Sequence, residues 1–145
     1  MFLNETCKDA LNIMDFVDSL QLQLHDLENT GKLGFVEGTT KIFLDGLKQL
    51  DIRQRPIHCT DLKKETVYIK DDDEWKEDVA KEKIKMAIDE VNDKNLKQMA
   101  NWIEENPNKS DELELIVQNI ANPDIDKESN KIIKNISKQV IIPTE

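Results

Sequence analysis

The chain contains few residues that would interrupt a fold or cross-link it. It has four glycines, four prolines and two cysteines among 145 residues. So little glycine and proline excludes collagen-like and low-complexity proteins. Cys7 and Cys59 are too few and too far apart for a disulfide-rich scaffold, and they indicate free thiols in a reducing compartment.

Long apolar runs are also missing from the sequence. None approaches the roughly 20 residues that cross a bilayer. The start of the chain, with Asn4, Glu5 and Lys8, lacks the apolar core of a secretion signal. We therefore expect an intracellular protein that is not secreted and has no membrane partner.

The chain has fewer basic than acidic residues, 20 against 30, and its net charge is −10. The excess is spread along the chain rather than confined to one end. A uniformly acidic surface repels phosphate backbones, which argues against nonspecific binding to nucleic acid. The hydrophobic fraction of 38% is sufficient for a folded chain, and the length predicts a single domain over residues 1–145.

Apolar residues at three- and four-residue steps predict helices over most of the chain. The expected helices cover residues 5–20, 22–27, 36–50, 75–105, 110–120 and 126–138. Asn29, Thr30 and Gly31 are expected to end the second helix, with Gly31, Gly34 and Gly38 forming a turn-rich connection. A break in the long helix is expected near Asn92.

One segment between these helices has the pattern of a β-hairpin. Residues 55–60 cannot lie inside a helix because of Pro56, and residues 65–70 alternate with β-branched and aromatic side chains. Asp61–Lys64 connects the two strands, and the acidic run at 71–74 is expected to end the hairpin. The apolar tail at 140–142 is expected to add a strand, either to this sheet or to the sheet edge of another chain.

These elements predict an α+β, mostly helical fold with about six helices and one central β-hairpin. Residues 1–75 would hold the first helices and the hairpin, and residues 76–145 the long helix and the C-terminal helices. Three helices followed by a hairpin is also the layout of a winged helix, in which residues 37–50 would be the recognition helix.

The hairpin carries a local concentration of positive charge. Its basic residues are Arg53, Arg55, Lys63, Lys64 and Lys70, and they are the candidate residues for binding a partner or nucleic acid. Arginine presents a planar fork that matches phosphate and carboxylate groups. The alternative is that the arginines pair with neighbouring acids such as Asp51 and only stabilise the hairpin.

Patterns of catalytic or metal-binding residues are absent from the sequence. His58 and Cys59 are neighbours on a strand and point to opposite faces, so they cannot share a zinc ion, and no paired ligand motif accompanies them. The acidic run at 71–74 lacks the spacing of a calcium loop. Trp75 and Trp102, at the ends of the predicted long helix, are expected to pack in the core. We expect no enzyme activity, no metal and no cofactor.

The segment LKQLDIRQRPIHCTDLKKETVYIKDDDEW, residues 47–75, resembles an uncharacterised C-terminal domain of giant, nucleocytoplasmic large DNA virus proteins. Weaker similarity continues through KNLKQMANWIEENP and NKIIKNISKQVII. In that family the domain often follows a zinc-finger segment, and its usual basic pair corresponds to Lys63 and Lys64. The resemblance implies a viral protein located in the host cytoplasm, at viral factories, or in the virion.

Together these observations predict a noncatalytic viral interaction module whose recognition surface is the hairpin 55–70. Its partner would be a viral protein, with the module acting in a protein assembly or beside viral DNA. The alternative is a winged-helix protein that binds DNA directly through residues 37–50 and the basic hairpin.

Overall fold

The structure is a computed structural model that describes residues 2–120 and 123–142. In these ranges the helices are α1 (Phe2–Glu5), α2 (Ile13–Ser19), α3 (Leu24–Leu33), α4 (Phe35–Lys48), α5 (Glu82–Lys97), α6 (Met99–Glu105), α7 (Ser110–Ile120) and α8 (Ile125–Gln139). The strands are β1 (Ile57–Asp61), β2 (Thr66–Asp71) and β3 (Glu74–Glu77). A short 3-10 helix, Ile52–Gln54, precedes β1. The predicted α+β, mostly helical fold is confirmed.

The three strands form an antiparallel sheet in the order β1-β2-β3. Ile57 of β1 lies opposite Ile69 of β2, and Cys59 lies opposite Val67. Because side chains alternate across a strand, these four share one face, and all four are buried in the main core. The helices α2, α4, α5 and α8 contribute the rest of this core. The predicted hairpin is therefore confirmed, with its inner face against the helices.

The acidic run at 71–74 continues the sheet instead of ending it. Asp72 and Asp73 both have positive φ angles, 51° and 63°, as a tight two-residue hairpin turn requires. The backbone N–H of Asp73 donates to Asn12 Oδ1 at 2.7 Å, and Asn12 Nδ2 donates back to Asp73 Oδ1 at 3.0 Å. The turn leads into β3, a strand that the sequence patterns did not predict and that includes Trp75.

The outer face of the sheet is covered by residues 6–12, so the predicted helix over 5–20 is correct only for α2, Ile13–Ser19. Trp75 Nε1 donates to the carbonyl of Cys7 at 2.9 Å, and Lys70 Nζ donates to the carbonyl of Lys8. The carbonyl of Cys7 also accepts the N–H of Ala10 at 3.2 Å, a bond between residues three apart, so this segment turns over the sheet and does not continue as an α-helix. The helical pattern of the sequence is therefore divided between α1 and α2.

The predicted long helix over 75–105 is divided into β3, α5 and α6. The buried carboxylate of Asp78 accepts the backbone N–H of Ile84 at 3.0 Å and satisfies a free donor in the first turn of α5. The break between α5 and α6 falls at Gln98, and Asn92, where a break was expected, is helical and buried. Trp102 packs in the core as expected, whereas Trp75 belongs to the sheet.

Gly31 and Gly38 lie inside helices, which corrects the predicted turn-rich connection. A Cβ on Gly38 would lie 2.6 Å from Thr30 Cα, and one on Gly31 would lie 2.6 Å from Ile116 Cγ1. Both glycines therefore allow helices to approach closely. Only Gly34, with a φ of 95°, separates α3 from α4.

A second, smaller core lies between α3, α6 and α7. Its buried members are Leu27, Trp102, Ile116 and Ile120. Trp102 Nε1 donates to Glu28 Oε1 at 3.0 Å, so its one polar group is satisfied at the edge of this core. Val117, on the same helix α7 as Ile116 and Ile120, is exposed.

The predicted recognition helix, α4, is packed between α3 and α8. Its buried residues, Thr39, Thr40, Ile42 and Phe43 among them, point in several directions around the helix. The winged-helix arrangement is therefore not confirmed. The tail at 140–142 does pair with a sheet edge as expected: the N–H of Cys59 donates to the carbonyl of Val140, and the N–H of Ile142 to the carbonyl of Cys59, both at 2.9 Å. These bonds occupy the free edge of β1 within the same chain.

We expect Gly38→Ala to lower the free energy of unfolding by about 1–2 kcal/mol. The new methyl group would force α3 and α4 apart, and this strain exceeds the gain in helix propensity of about 1 kcal/mol. Urea denaturation followed by circular dichroism measures the change. Glu37→Ala, at an exposed position one residue earlier on α4, is the control and should change stability by less than about 0.5 kcal/mol. Equal stability of Gly38→Ala and wild type would contradict the close approach.

Candidate interaction surface

Two of the five predicted site residues, Arg55 and Lys70, have structural contacts at the base of the hairpin. Arg55 Nε donates to the carbonyl of Leu47 at 3.0 Å and to that of Leu50 at 3.3 Å, which caps the C-terminal end of α4. Lys70 is only 4% exposed, and its Nζ is bound to the carbonyl of Lys8. Both cations connect the sheet to the rest of the fold.

Arg53 is exposed but pairs with a neighbouring acid. Its Nε lies 3.1 Å from Asp51 Oδ1 and its Nη2 lies 3.3 Å from Asp51 Oδ2. These hydrogen bonds from the Arg53 guanidinium hold the pKa of the Asp51 carboxyl below its usual range. The alternative considered for the arginines, pairing with a neighbouring acid, is what the structure shows for Arg53.

Lys63 and Lys64 are exposed at the turn of the hairpin, beside the partly exposed Leu62. The backbone N–H of Lys64 donates to Asp61 Oδ1 at 3.1 Å, which holds the turn. Within the part of the chain that the structure describes, neither lysine ammonium group has a carboxylate partner. These two residues are the members of the predicted site that remain available to a partner.

The five predicted residues therefore do not form one continuous patch. β1 has five residues, and a rise of about 3.3 Å per residue separates the first from the last by roughly 13 Å. Lys63 and Lys64 lie beyond one end, and Arg53 and Arg55 lie before the other. Spacing along the sequence could not reveal which of these charges already had partners in the fold.

His58 lies on the outer face of the sheet and is fully buried. Its ring is between Trp75, with ring centroids 5.5 Å apart, and Phe2, with centroids 6.4 Å apart. Nε2 lies 3.1 Å from the carbonyl of Ile52 and donates to it in the tautomer that is protonated at Nε2. Burial lowers the pKa of His58, although the backbone of Ile52 and of Val140 opposes the change.

The two thiols are buried on opposite faces of the sheet. Cys7 Sγ lies 3.7 Å from His58 Nε2, while Cys59 belongs to the main core. Burial raises the pKa of both thiols, and the negative charge of Asp51 adds to the effect at Cys7. Both thiols are therefore protonated at neutral pH and poor nucleophiles.

Over residues 2–120 and 123–142, no three His, Cys, Asp or Glu side chains come together in a group that could hold a metal ion. His25 lines a separate cavity of about 430 Å³ between α4 and the connection from α2 to α3.

No helix over residues 2–120 and 123–142 is both long enough and apolar enough to cross a membrane.

A second basic surface was missed in the sequence patterns. Lys127, Lys131, Lys134 and Lys138 follow one another at steps of four, three and four residues and are all exposed on α8. Residues at these steps share one face of a helix. The spacing of these lysines is the sequence signal that predicts this surface. The prediction was based on the hairpin region instead, because both arginines of the chain lie at its start.

Comparison of the chain with protein-family models, with curated proteins and with solved structures gave no match. The resemblance of residues 47–75 to a viral domain therefore stays a prediction.

We expect Lys70→Met to lower the free energy of unfolding by about 1–2 kcal/mol, because the Lys8 carbonyl loses its charged donor. Lys63→Met makes the same chemical change at the exposed turn and should shift stability by less than about 0.5 kcal/mol. Urea denaturation of both variants measures the difference. A similar small effect of the two substitutions would show that Lys70 is not needed to hold residues 6–12 on the sheet.

The stability of the protein should fall as the pH drops below about 6.5, the ordinary pKa of histidine. The folded state holds His58 neutral, so the unfolded chain binds the proton first and acidification favours unfolding. This residue contributes at most about 1.4 kcal/mol per pH unit. Urea denaturation at several pH values should show a shallower decrease for His58→Gln, whose amide can still donate to Ile52. An unchanged pH dependence in that variant would refute the assignment.

Proposed function

We propose that the protein is a noncatalytic interaction module and that it acts in a protein assembly. Its recognition surface would be the turn of the hairpin, with Leu62, Lys63 and Lys64. The observation that carries the proposal is the contrast between the two ends of the hairpin: the side chains of Arg55 and Lys70 at its base have partners within the fold, whereas the ammonium groups of Lys63 and Lys64 at its turn have no carboxylate partner among the described residues.

The anchoring of the hairpin supports this proposal. The base is attached by the Arg55 contacts to α4, by the cover of residues 6–12 and by the pairing of Cys59 with the C-terminal tail. A turn that projects from such a base is already ordered before a partner arrives. Binding through it then costs little conformational entropy.

The chemistry of the turn indicates the kind of partner. Leu62 follows Asp61, whose carboxylate holds the turn, and precedes the two lysines. An exposed apolar side chain beside two ammonium groups that have no carboxylate partner in the described ranges fits a protein surface that has carboxylates around an apolar contact. The structural contacts of His58, Lys70 and Asp78 are consistent with a noncatalytic role, since these buried titratable side chains maintain the fold. The viral setting depends on the resemblance of residues 47–75 alone.

Site-specific photo-cross-linking tests this proposal. A photoreactive residue in place of Lys63 should give a discrete protein adduct in lysate from the cells that naturally express the protein. The matched control has the same group in place of Lys97, an exposed lysine in the last turn of α5. Excess wild-type protein should abolish the adduct at position 63.

The competing variant Lys63→Glu/Lys64→Glu distinguishes specific binding from random collision. It should fail to compete, because reversal of both charges repels an acidic partner surface. Equal competition by this variant and wild type would contradict the proposal. Adducts of equal intensity at positions 63 and 97, or no adduct at position 63, would contradict it as well.

A further inference from the structure

We propose that the exposed side of α8 binds the phosphate backbone of double-stranded nucleic acid. The binding face comprises Lys127, Lys131, Lys134 and Lys138, called the lysine face below. This inference is independent of the hairpin surface. It is also distinct from winged-helix binding through α4.

The lysine face differs in charge from the other surfaces of an acidic protein. From residue 127 onward, the exposed residues of α8 are the four lysines, Asn130 and Gln139, with no acid among them. By contrast, the exposed residues of α4 alternate in sign, and Lys41 pairs with Asp45 at 3.1 Å. Mixed signs are the usual state of a solvated surface, so a helix face of one sign requires an explanation.

Contacts within the fold do not provide that explanation. In the described part of the chain, no carboxylate lies within ion-pair distance of any of the four ammonium groups. Interaction with the helix dipole is limited to the last turn, so it can account for Lys138 but not for Lys127 or Lys131. Solubility does not require these lysines either. The net charge is −10 with the four lysines included, and the protein would be still more negative without them.

The length of the lysine face suits a nucleic-acid duplex. At about 1.5 Å per residue, the rise from Lys127 to Lys138 is roughly 16 Å. One strand of a duplex places a phosphate about every 3.4 Å along the axis, so roughly five phosphates lie opposite the face. The groove between α4 and α8 has Lys48 beside Lys138, but Glu37 and Asp45 line its α4 side, so the surface of one sign is confined to α8.

The composition of the lysine face favours a duplex over other polyanions. On the opposite side of α8, the apolar residues Ile132, Ile133 and Ile136 are all buried in the main core. A helix that binds an anionic membrane needs an exposed apolar side to enter the lipid, and this helix has none. Single strands are held by stacking of bases on aromatic side chains, and the face contains no aromatic residue.

Lysine is a compact point charge and lacks the planar fork with which arginine reads guanine. We therefore expect contacts to phosphates and no preference for sequence. The net negative charge of the protein does not prevent such binding. At physiological salt, charges more than about 8 Å away are largely screened, and the local face dominates.

Fluorescence anisotropy of labelled duplex DNA, about 24 base pairs long to exceed the face, tests the proposal at salt concentrations from about 20 to 200 mM. The wild-type chain should bind two duplexes of unrelated sequence with similar affinity. The logarithm of the affinity should fall with the logarithm of salt with a slope of about −2 to −4. Lys131→Gln/Lys134→Gln/Lys138→Gln should weaken binding at least tenfold at low salt and make the slope shallower by about 2.

The matched control is Lys32→Gln/Lys76→Gln/Lys97→Gln, which removes the same charge from exposed positions outside α8 and the hairpin turn and should change the affinity less than about twofold. Circular dichroism establishes that both variants are folded. The proposal is overturned by absence of binding at about 20 mM salt, or by an equal loss in the control. Tighter binding to single strands or to phosphatidylserine vesicles than to the duplex would also overturn it. The cross-linking experiment at position 63 is unaffected by any of these results.

Discussion

Residues 6–12 cover the outer face of the sheet, and the rest of the structure depends on this contact. The sheet has only three strands, and a small sheet is stable only when its apolar surface is buried. Its inner face packs on the helices. Its outer face is closed by the bonds from Trp75 and Lys70 to the carbonyls of Cys7 and Lys8. Without this cover, the neutral His58 and the Trp75 ring would be exposed to water.

The contacts at the base of the hairpin also distinguish basic residues that hold the fold together from basic residues that are available to a partner. Arg55 and Lys70 are committed to backbone carbonyls, so they connect the hairpin to α4 and to the N-terminal segment. The lysines at the turn and on α8 lack such partners in the described ranges. The protein therefore presents two positive surfaces of different character: a small turn with an apolar residue, and a helix face of lysines. We propose that the first binds a protein partner and the second binds phosphates.

The charge distribution gives these two surfaces a common physical basis. A chain with a net charge of −10 repels polyanions at a distance, but salt confines that repulsion to about a Debye length. Local clusters can then attract anionic partners while the remaining surface suppresses nonspecific contact. This charge distribution predicts that anionic partners bind at these two surfaces and not elsewhere on the protein. It also predicts that the binding weakens as the salt concentration rises.

The periodicity of the sequence by itself determined the class of fold, the hairpin and the helices α4, α7 and α8. Alternation and three- to four-residue steps depend only on which side of an element is buried. Tertiary contacts decided the rest. The segment 6–12 forms turns and coil over the sheet, where its carbonyls accept hydrogen bonds from Trp75 and Lys70. Asp72 and Asp73 became a turn before an unpredicted strand, and Gly31 and Gly38 stayed helical because a neighbouring helix lies too close for a side chain. The candidate site followed the same division: the sequence identified the basic residues, but only the packed fold showed which already had partners.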